Sequence, residues 1–321
     1  MITTPPPTPT PRPADEPAAS SPTLLQVRGL TKRFLVKKPG EPVPLNPFRR
    51  RPPSYFSAVD RVSFDLYRGE TLGIVGESGS GKTTCARCVL RALTPTSGQV
   101  LLHPDTEEAP LDLATLPERQ LTPLRRQMQM IFQDPFASLN PRMTVGDIVG
   151  EPLRIHGLGS RRDIRTRVAE MLRRVGLEPA HMSRYPHAFS GGQRQRIGIA
   201  RALILRPSLV VADEAVSALD VSVQTQVLEL LKELQQEMGL TYIFVSHDLS
   251  VVRHVCDRVA VMYRGRIVEL GDAEQVFSHP QHEYTKVLLS AIPYPDPDRR
   301  MKPMRTDQLT PEQLLPLPHL R

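Results

Sequence analysis

Only three cysteines occur among the 321 residues, too few for a disulfide framework and in keeping with a reducing cytoplasm. Cys85 and Cys88 form a C-x-x-C, but no second pair completes a zinc site, and both fall inside an expected helix. Small-residue packing is therefore the expectation for them, ahead of a redox or metal role. No apolar run approaches the roughly 20 residues that cross a bilayer as a helix. No charged segment followed by an apolar one opens the chain, so secretion is not expected. The formal net charge is +7, yet no dense basic run exists beyond Arg49-Arg50-Arg51. The excess reads as solvated arginine faces rather than a nucleic-acid site. There is no internal repeat.

What is present centres on residues 71–84, TLGIVGESGSGKTT. Thr71 to Val75 predicts a short buried strand, and a helix is expected from Lys82. Between them, Gly76-Glu77-Ser78-Gly79-Ser80-Gly81-Lys82-Thr83 matches G-x-x-x-x-G-K-[ST]. Glycines let the backbone curl so that several N–H groups face one anion, and the helix N-terminus adds partial positive charge there. Lys82 supplies a cation for the terminal phosphates and the Thr83 hydroxyl a ligand for Mg²⁺. The implication is a bound nucleoside triphosphate.

The 321 residues suit two domains or one large domain with a lobe, and the 40% hydrophobic content is enough for a sizeable core. Residues 1–23, rich in proline and threonine, predict a disordered tail. Ordered structure is expected from Leu24, with strands in LLQVRGLTKRF and SAVDRVSFDLYRGE. The basic, proline-rich stretch 37–54 between them reads as a solvated loop, with a contact surface for anionic lipid or a membrane subunit as the alternative. Strands are expected at 99–103, 128–133, 209–212 and 241–246, and a hairpin over 258–271 turning at Arg264-Gly265. Residues 134–205 show several helical segments and predict a helical lobe inserted into an α/β core. Helix 221–238 carries apolar residues on one face and should stop at Gly239. Helices near 272–277 and 281–291 follow, and the proline-rich end from Pro293 is expected to be loosely attached.

A phosphate loop needs a carboxylate for its metal, and Asp213 stands at the end of an apolar strand. Glu214 follows it, placed to orient and polarise an attacking water. Further on, Ser190-Gly191-Gly192-Gln193 opens the basic amphipathic helix RQRIGIARAL, a second anion-seeking helix end.

GESGSGKT, the glutamine of FQDP, FSGGQRQR, VVADE, SALD and the histidine of VSHD follow the order and spacing of ATP-binding-cassette (ABC) ATPases. The chain resembles that family over residues 24–291. The runs FQDPFASLNPRMTVGDIVGEPLRIHG and HPQHEYTKVLLSAIPYPDP are similar to the ATP-binding subunits of dipeptide and oligopeptide importers; related nickel importers carry similar subunits. The resemblance implies a P-loop NTPase (RecA-like) α/β core with an antiparallel β subdomain and an inserted α-helical subdomain at about 134–205. It divides the chain into the tail 1–23, an ATPase domain 24–271 and a C-terminal extension 272–321. ATP and Mg²⁺ are the implied ligands.

The same resemblance assigns roles. Gly76, Glu77, Ser78, Gly79, Ser80, Gly81, Lys82, Thr83 and Thr84 would hold the nucleotide, and Thr83, Gln133 and Asp213 the metal. Glu214 would be the general base, His247 the γ-phosphate sensor, and Gln133 a reporter of nucleotide state. Ser190, Gly191, Gly192 and Gln193 would close on ATP held by a second cassette subunit, with Asp220 at the dimer interface. Phe34, or Tyr55, would stack on adenine. Implied partners are that second subunit, two membrane permease subunits and, indirectly, a substrate-binding protein, with no nucleic acid. The implied place is the cytoplasmic face of the inner membrane. Three departures stand out: Ala215 where proline is usual, Phe189 where leucine often precedes the serine, and Glu283 where the extension's His-Pro-Tyr-Thr core has proline. Some importer subunits carry a cysteine cluster near the C-terminus; no cysteine follows Cys256 here, so no such cluster is expected.

Overall fold

A computed structural model describes residues 22–36, 54–104, 109–291 and 306–320. The expected tail over 1–21, the basic insert over 37–53 and the stretch 292–305 lie outside the described residues. Two long strands open the fold, β1 (Thr23–Val36) and β2 (Ser54–Tyr67), paired antiparallel. After β3 (Thr71–Val75) and helix α1 (Lys82–Val89), the chain returns to the first pair with β4 (Ser97–Leu102) and β5 (Leu111–Asp112). These make a four-stranded antiparallel sheet in the order β2-β1-β4-β5. Helix α2 (Glu118–Leu124) leads into β6 (Met128–Ile131).

Helices α3 (Val145–Ile155), α4 (Arg161–Arg174) and α5 (Gly191–Leu203) come next, before β7 (Leu209–Asp213). Local signals explain their starts. Thr144 caps α3 by accepting from the Asp147 N–H, and Ser160 with Asp163 closes a reciprocal capping box on α4. Helix α6 (Val221–Met238) ends at Gly239, which adopts the left-handed conformation (φ 65°) of a C-terminal cap. Strand β8 (Thr241–Ser246), helix α7 (Leu249–Val255) and the hairpin β9 (Arg258–Tyr263) and β10 (Arg266–Asp272) complete the core. Helices α8 (Ala273–Ser278) and α9 (Glu283–Ser290) follow.

The second sheet runs β10-β9-β3-β8-β7-β6. It is parallel from β9 to β6, with β10 as an antiparallel edge. Strands β3, β7 and β8 are buried along their whole length, which is why they read as unbroken apolar runs rather than alternating ones. Successive side chains still point to opposite faces. Leu72, Ile74, Val211, Ile243 and Val245 pack with α1 and the antiparallel sheet. Val75, Val210, Ala212, Tyr242 and Phe244 pack on the other side, with α6, α7 and residues of the helical layer.

Two expectations need correction. Helix α7 was not expected, because seven residues give too short a periodic signal. The end beyond Pro293 was expected to be loose, yet its described part, 306–320, is packed down. Leu309 and Leu314 lie against the core, the Leu317 N–H donates to the Val268 carbonyl, and the Leu315 carbonyl meets His282 Nε2 at 2.8 Å. Cys85 and Cys88 are buried free thiols on α1; burial pushes both up, Cys88 to about 11.

Candidate functional site

Strand β3 lies inside the second sheet between β9 and β8, and the loop 76–81 turns from it into α1. Gly76 (φ 148°) and Gly81 (φ 105°) hold conformations and spaces that no other residue fits. A Cβ on Gly76 would sit 2.2 Å from the Met262 carbonyl oxygen, and one on Gly81 2.2 Å from that of Ala58. The loop is thus pressed against β9 on one side and β2 on the other. Gly76 and Ser80 are buried, whereas Glu77, Ser78 and Gly79 are exposed, and Thr84 is half-buried on the first turn of α1.

Lys82 is buried, and its Nζ donates to the carbonyls of Gly76 (2.8 Å) and Glu77 (2.9 Å). Burial lowers its pKa, while Glu214, Asp213 and Glu77 pull it back up. The Thr83 hydroxyl donates to Asp213 Oδ1 at 2.8 Å. Asp213 is 2% exposed, and burial raises its pKa against the Thr83 hydrogen bond and the charge of Arg87, whose guanidinium is 3.9 Å away. The Thr83–Asp213 pair presents hard oxygen donors beside the loop, the ligand chemistry that Mg²⁺ takes.

Glu214 follows directly on Asp213 at the end of β7. Its φ of +49° is uncommon for a residue with a Cβ, and the conformation is held by its N–H donating to the Val245 carbonyl at 2.9 Å. Two side chains converge on one carboxylate oxygen: Gln133 Nε2 donates to Glu214 Oε2 at 2.8 Å, and His247 Nδ1 lies 3.2 Å from it. Gln133 lies two residues past the end of β6, His247 just past β8 and Glu214 just past β7. Three neighbouring strand ends therefore deliver three side chains to one point. Ala215 beside them is 1% exposed, a space that a small side chain fills.

Ser190 caps α5. Its hydroxyl accepts from the Gln193 N–H at 3.4 Å, and Gln193 Oε1 accepts from the Ser190 N–H at 3.1 Å. Phe189 turns inward at 5% exposure and packs edge-on against the His181 ring, which accounts for its bulk. A Cβ on Gly192 would lie 2.4 Å from Val223 Cγ1, so α5 starts in close contact with α6. Asp220 stands at the N-cap of α6 without a side-chain capping bond. Among the described residues, no hydrogen bond or ion pair joins Ser190–Gln193 or Asp220 to the phosphate loop. Phe34 and Tyr55 sit at the far end of the β1–β2 ribbon, opposite Phe56 and Leu35 respectively, and all four are exposed.

One contact had no sequence forewarning as part of this site. The Glu77 N–H donates to the Tyr284 hydroxyl at 3.2 Å, so α9 touches the loop. The run His282-Glu283-Tyr284-Thr285 stood out in the sequence, but nothing there linked it to residue 77. Glu283 is the first residue of α9, a position where proline and an acidic side chain are both favourable, so the exchange costs the helix little.

Two protein families match. One described as "ABC transporter" covers residues 59–217, and one described as "Oligopeptide/dipeptide transporter, C-terminal region" covers 268–316. The chain is similar to the oligopeptide transport ATP-binding protein OppF of Bacillus subtilis, 55% identical over 75% of this chain and 78% of that one. It is also similar to the glutathione import ATP-binding protein GsiA of Salmonella choleraesuis, 52% identical over 86% of this chain and 42% of GsiA. Among solved structures, the dimeric ATP-binding cassette MJ0796 in a post-hydrolysis state with ADP and Pi superposes with a TM-score of 0.64. It is 29% identical, over 78% of this chain and 99% of that one. The cbiO1 subunit from Clostridium perfringens, part of the ABC transporter complex cbiONQ, gives the same TM-score at 27% identity, over 83% and 93%.

Proposed function

We propose, for a chain that belongs to the ABC transporter family of ATP-binding subunits, that it binds and hydrolyses ATP to drive uptake of dipeptides or oligopeptides through separate permease subunits. The observation that carries the hydrolytic part is the convergence of Gln133 and His247 on Glu214 Oε2, beside the Thr83–Asp213 pair. The peptide part rests on the match over 268–316 and on the names of the relatives.

The geometry suits each step. Lys82 holds two loop carbonyls and can exchange them for phosphate oxygens as the nucleotide enters. Thr83, Asp213 and Gln133 would hold Mg²⁺, which supplies charge neutralisation between the outer phosphates when bound. Glu214 Oε2 accepts from Gln133 Nε2, and His247 Nδ1 lies 3.2 Å from the same oxygen. The second Glu214 oxygen can take a proton from water while Gln133 and His247 keep the carboxylate aimed.

The site is half of a larger one in this reading. The N–H groups of Gly191 and Gly192 open α5 without intrahelical partners, the arrangement that takes an anion. They would close on the γ-phosphate held by a second cassette subunit, so that ATP binding is also dimerisation, with Asp220 at the interface. Phe34 at the ribbon end would cover adenine, with Tyr55 as the other candidate.

No helix among the described residues is long and apolar enough to cross a membrane, so the translocation path is assigned to permease partners. A cavity of about 620 Å³ lies where α1, β6, α3 and α5 meet, lined by Leu90, Leu93, Met130, Phe132, Pro152 and Arg201 among others. This mostly apolar groove would receive a permease helix and place the chain at the cytoplasmic face of the membrane.

The test is co-expression with candidate permeases and binding protein from adjacent reading frames, followed by ATPase assays across a peptide panel and nickel. Peptide-stimulated turnover is expected, and Glu214→Gln should abolish it while leaving ATP bound in a trapped dimer. Unaltered turnover in that variant would remove Glu214 as the base, and stimulation by nickel alone would replace the substrate.

A further inference from the structure

The peptide unit between Gly76 and Glu77 is held at both ends. Its carbonyl accepts from Lys82 Nζ at 2.8 Å, and its N–H donates to the Tyr284 hydroxyl at 3.2 Å. Lys82 spends two of its three N–H donors on the loop carbonyls, which leaves one for a phosphate. The tyrosine bond is the second hold on this peptide plane, the one on its N–H side.

Tyr284 is itself held firmly. It is fully buried, and its ring lies 4.4 Å from that of Tyr263, centroid to centroid. Tyr263 ends β9, and two residues on the Gly265 N–H donates to the Ser80 carbonyl at 2.8 Å, so both neighbours of the tyrosine pair touch the loop. Burial pushes the Tyr284 phenol up to about 12, so it stays neutral at physiological pH. Its backbone N–H donates to His282 Nδ1 at 3.1 Å. That ring nitrogen must then be an acceptor, which puts the ring proton on Nε2, facing the Leu315 carbonyl at 2.8 Å. The buried carboxylate of Glu269 on β10 accepts from the N–H groups of Gln281 (2.7 Å) and His282 (3.1 Å). Thr306 reaches the Glu77 side chain at 3.4 Å.

We propose that the described segments 268–291 and 306–320 form a structural arm of the nucleotide site, with Tyr284 as a positioning residue that sets the phosphate loop through the Glu77 amide. This rests on the ATPase reading for its effect on turnover. The arm runs from the Glu269 anchor through His282 to the Leu315 tether, and among the described residues its polar contact with the loop backbone is the Tyr284 hydroxyl. Tyrosine as simple core filler would be replaceable by phenylalanine; a positioning role needs the oxygen.

The discriminating variant is Tyr284→Phe in the full chain, which keeps the ring. Tyr242→Phe serves as control: it removes another buried hydroxyl, one that donates to the Leu231 carbonyl away from the loop. Two measurements apply. Hydrogen exchange, without nucleotide, should be faster at the Glu77 amide in Tyr284→Phe and unchanged in the control. In the complex with its permeases, the KM for ATP should rise about three- to tenfold, the net worth of one such hydrogen bond, with kcat within about twofold. Unchanged exchange at Glu77, or turnover that falls only with the folded fraction at constant KM, would overturn the proposal. A wild-type chain without ATP turnover would instead sink the function reading, while the exchange measurement still decides whether Tyr284 holds the loop.

Discussion

Replacing Thr83 by alanine separates two roles of one hydroxyl. Without nucleotide, that hydroxyl donates to Asp213 at 2.8 Å, and Asp213 is buried with its nearest cation, Arg87, at 3.9 Å and half-exposed. Thr83→Ala therefore leaves a buried carboxyl short of its best donor. A hydrogen bond to a charged group is worth about 1.5–3 kcal/mol. For a chain of 321 residues that corresponds to a Tm about 2–5 °C lower, measured without nucleotide. Asp213, already raised by burial, should move further up, because the cause that lowers it most is gone. The second role appears when ATP is added with and without Mg²⁺. Wild type should gain more thermal stability from the pair than from ATP alone; Thr83→Ala should lose that Mg²⁺-dependent increment and keep most of the rest. Thr83→Ser, which restores the oxygen, should recover both. If Thr83→Ala melts with wild type and responds to Mg²⁺ as wild type does, then the Thr83–Asp213 pair is neither a stabilising contact nor a metal site. If serine fails to rescue, the methyl group and not the hydroxyl carries the effect.

Two further outcomes follow from local geometry. Gly76→Ala places a methyl group 2.2 Å from a backbone oxygen at a φ of 148°, so the loop must move. Strain of about 1–3 kcal/mol predicts roughly a 10- to 100-fold weaker ATP affinity in a chain whose circular dichroism is unchanged, and wild-type affinity would contradict it. Glu70, buried beside Arg258, is pushed up to about 7 by burial, against an ordinary value of 4.5. Between those values the folded chain keeps a proton that the unfolded chain has released. Glu70 thus contributes stability that is whole below pH 4.5 and is lost as pH rises through 7, about 3 kcal/mol at most. Glu70→Gln should flatten urea-unfolding stability across that range; equal pH slopes in both proteins would refute it.

The β3–loop–α1 unit, the strand ending at Asp213 and helix α6 were legible because each is a contiguous pattern whose cause is local. A buried parallel strand must be apolar throughout, a phosphate loop needs glycines at fixed offsets, and a one-faced helix repeats at 3.6 residues. Helix α7 was hidden by its length. The end 306–320 was misjudged because proline content argued for looseness, while its attachment depends on contacts set by the fold. Leu315 meets His282 33 residues away, and Leu317 meets Val268 across the edge of the sheet.

The Tyr284 contact was out of reach for a deeper reason. Its partner is the N–H of Glu77, and a backbone amide looks the same at every position of a sequence. Gln133, Glu214 and His247 carry their chemistry in side chains, so their type and order announce them before they are brought together. The loop's own chemistry lies in backbone groups, and whatever orients those groups need only offer one oxygen at the right place. The Tyr284 hydroxyl is such an oxygen here, the Gly265 N–H does the same from the donor side by donating to the Ser80 carbonyl, and neither forms a motif. It follows that the controls on a phosphate loop should be sought in the elements seated against its outer face. In this chain those elements are the end of β9 and the start of α9, which makes the C-terminal extension part of the nucleotide site's architecture rather than an appendage to it.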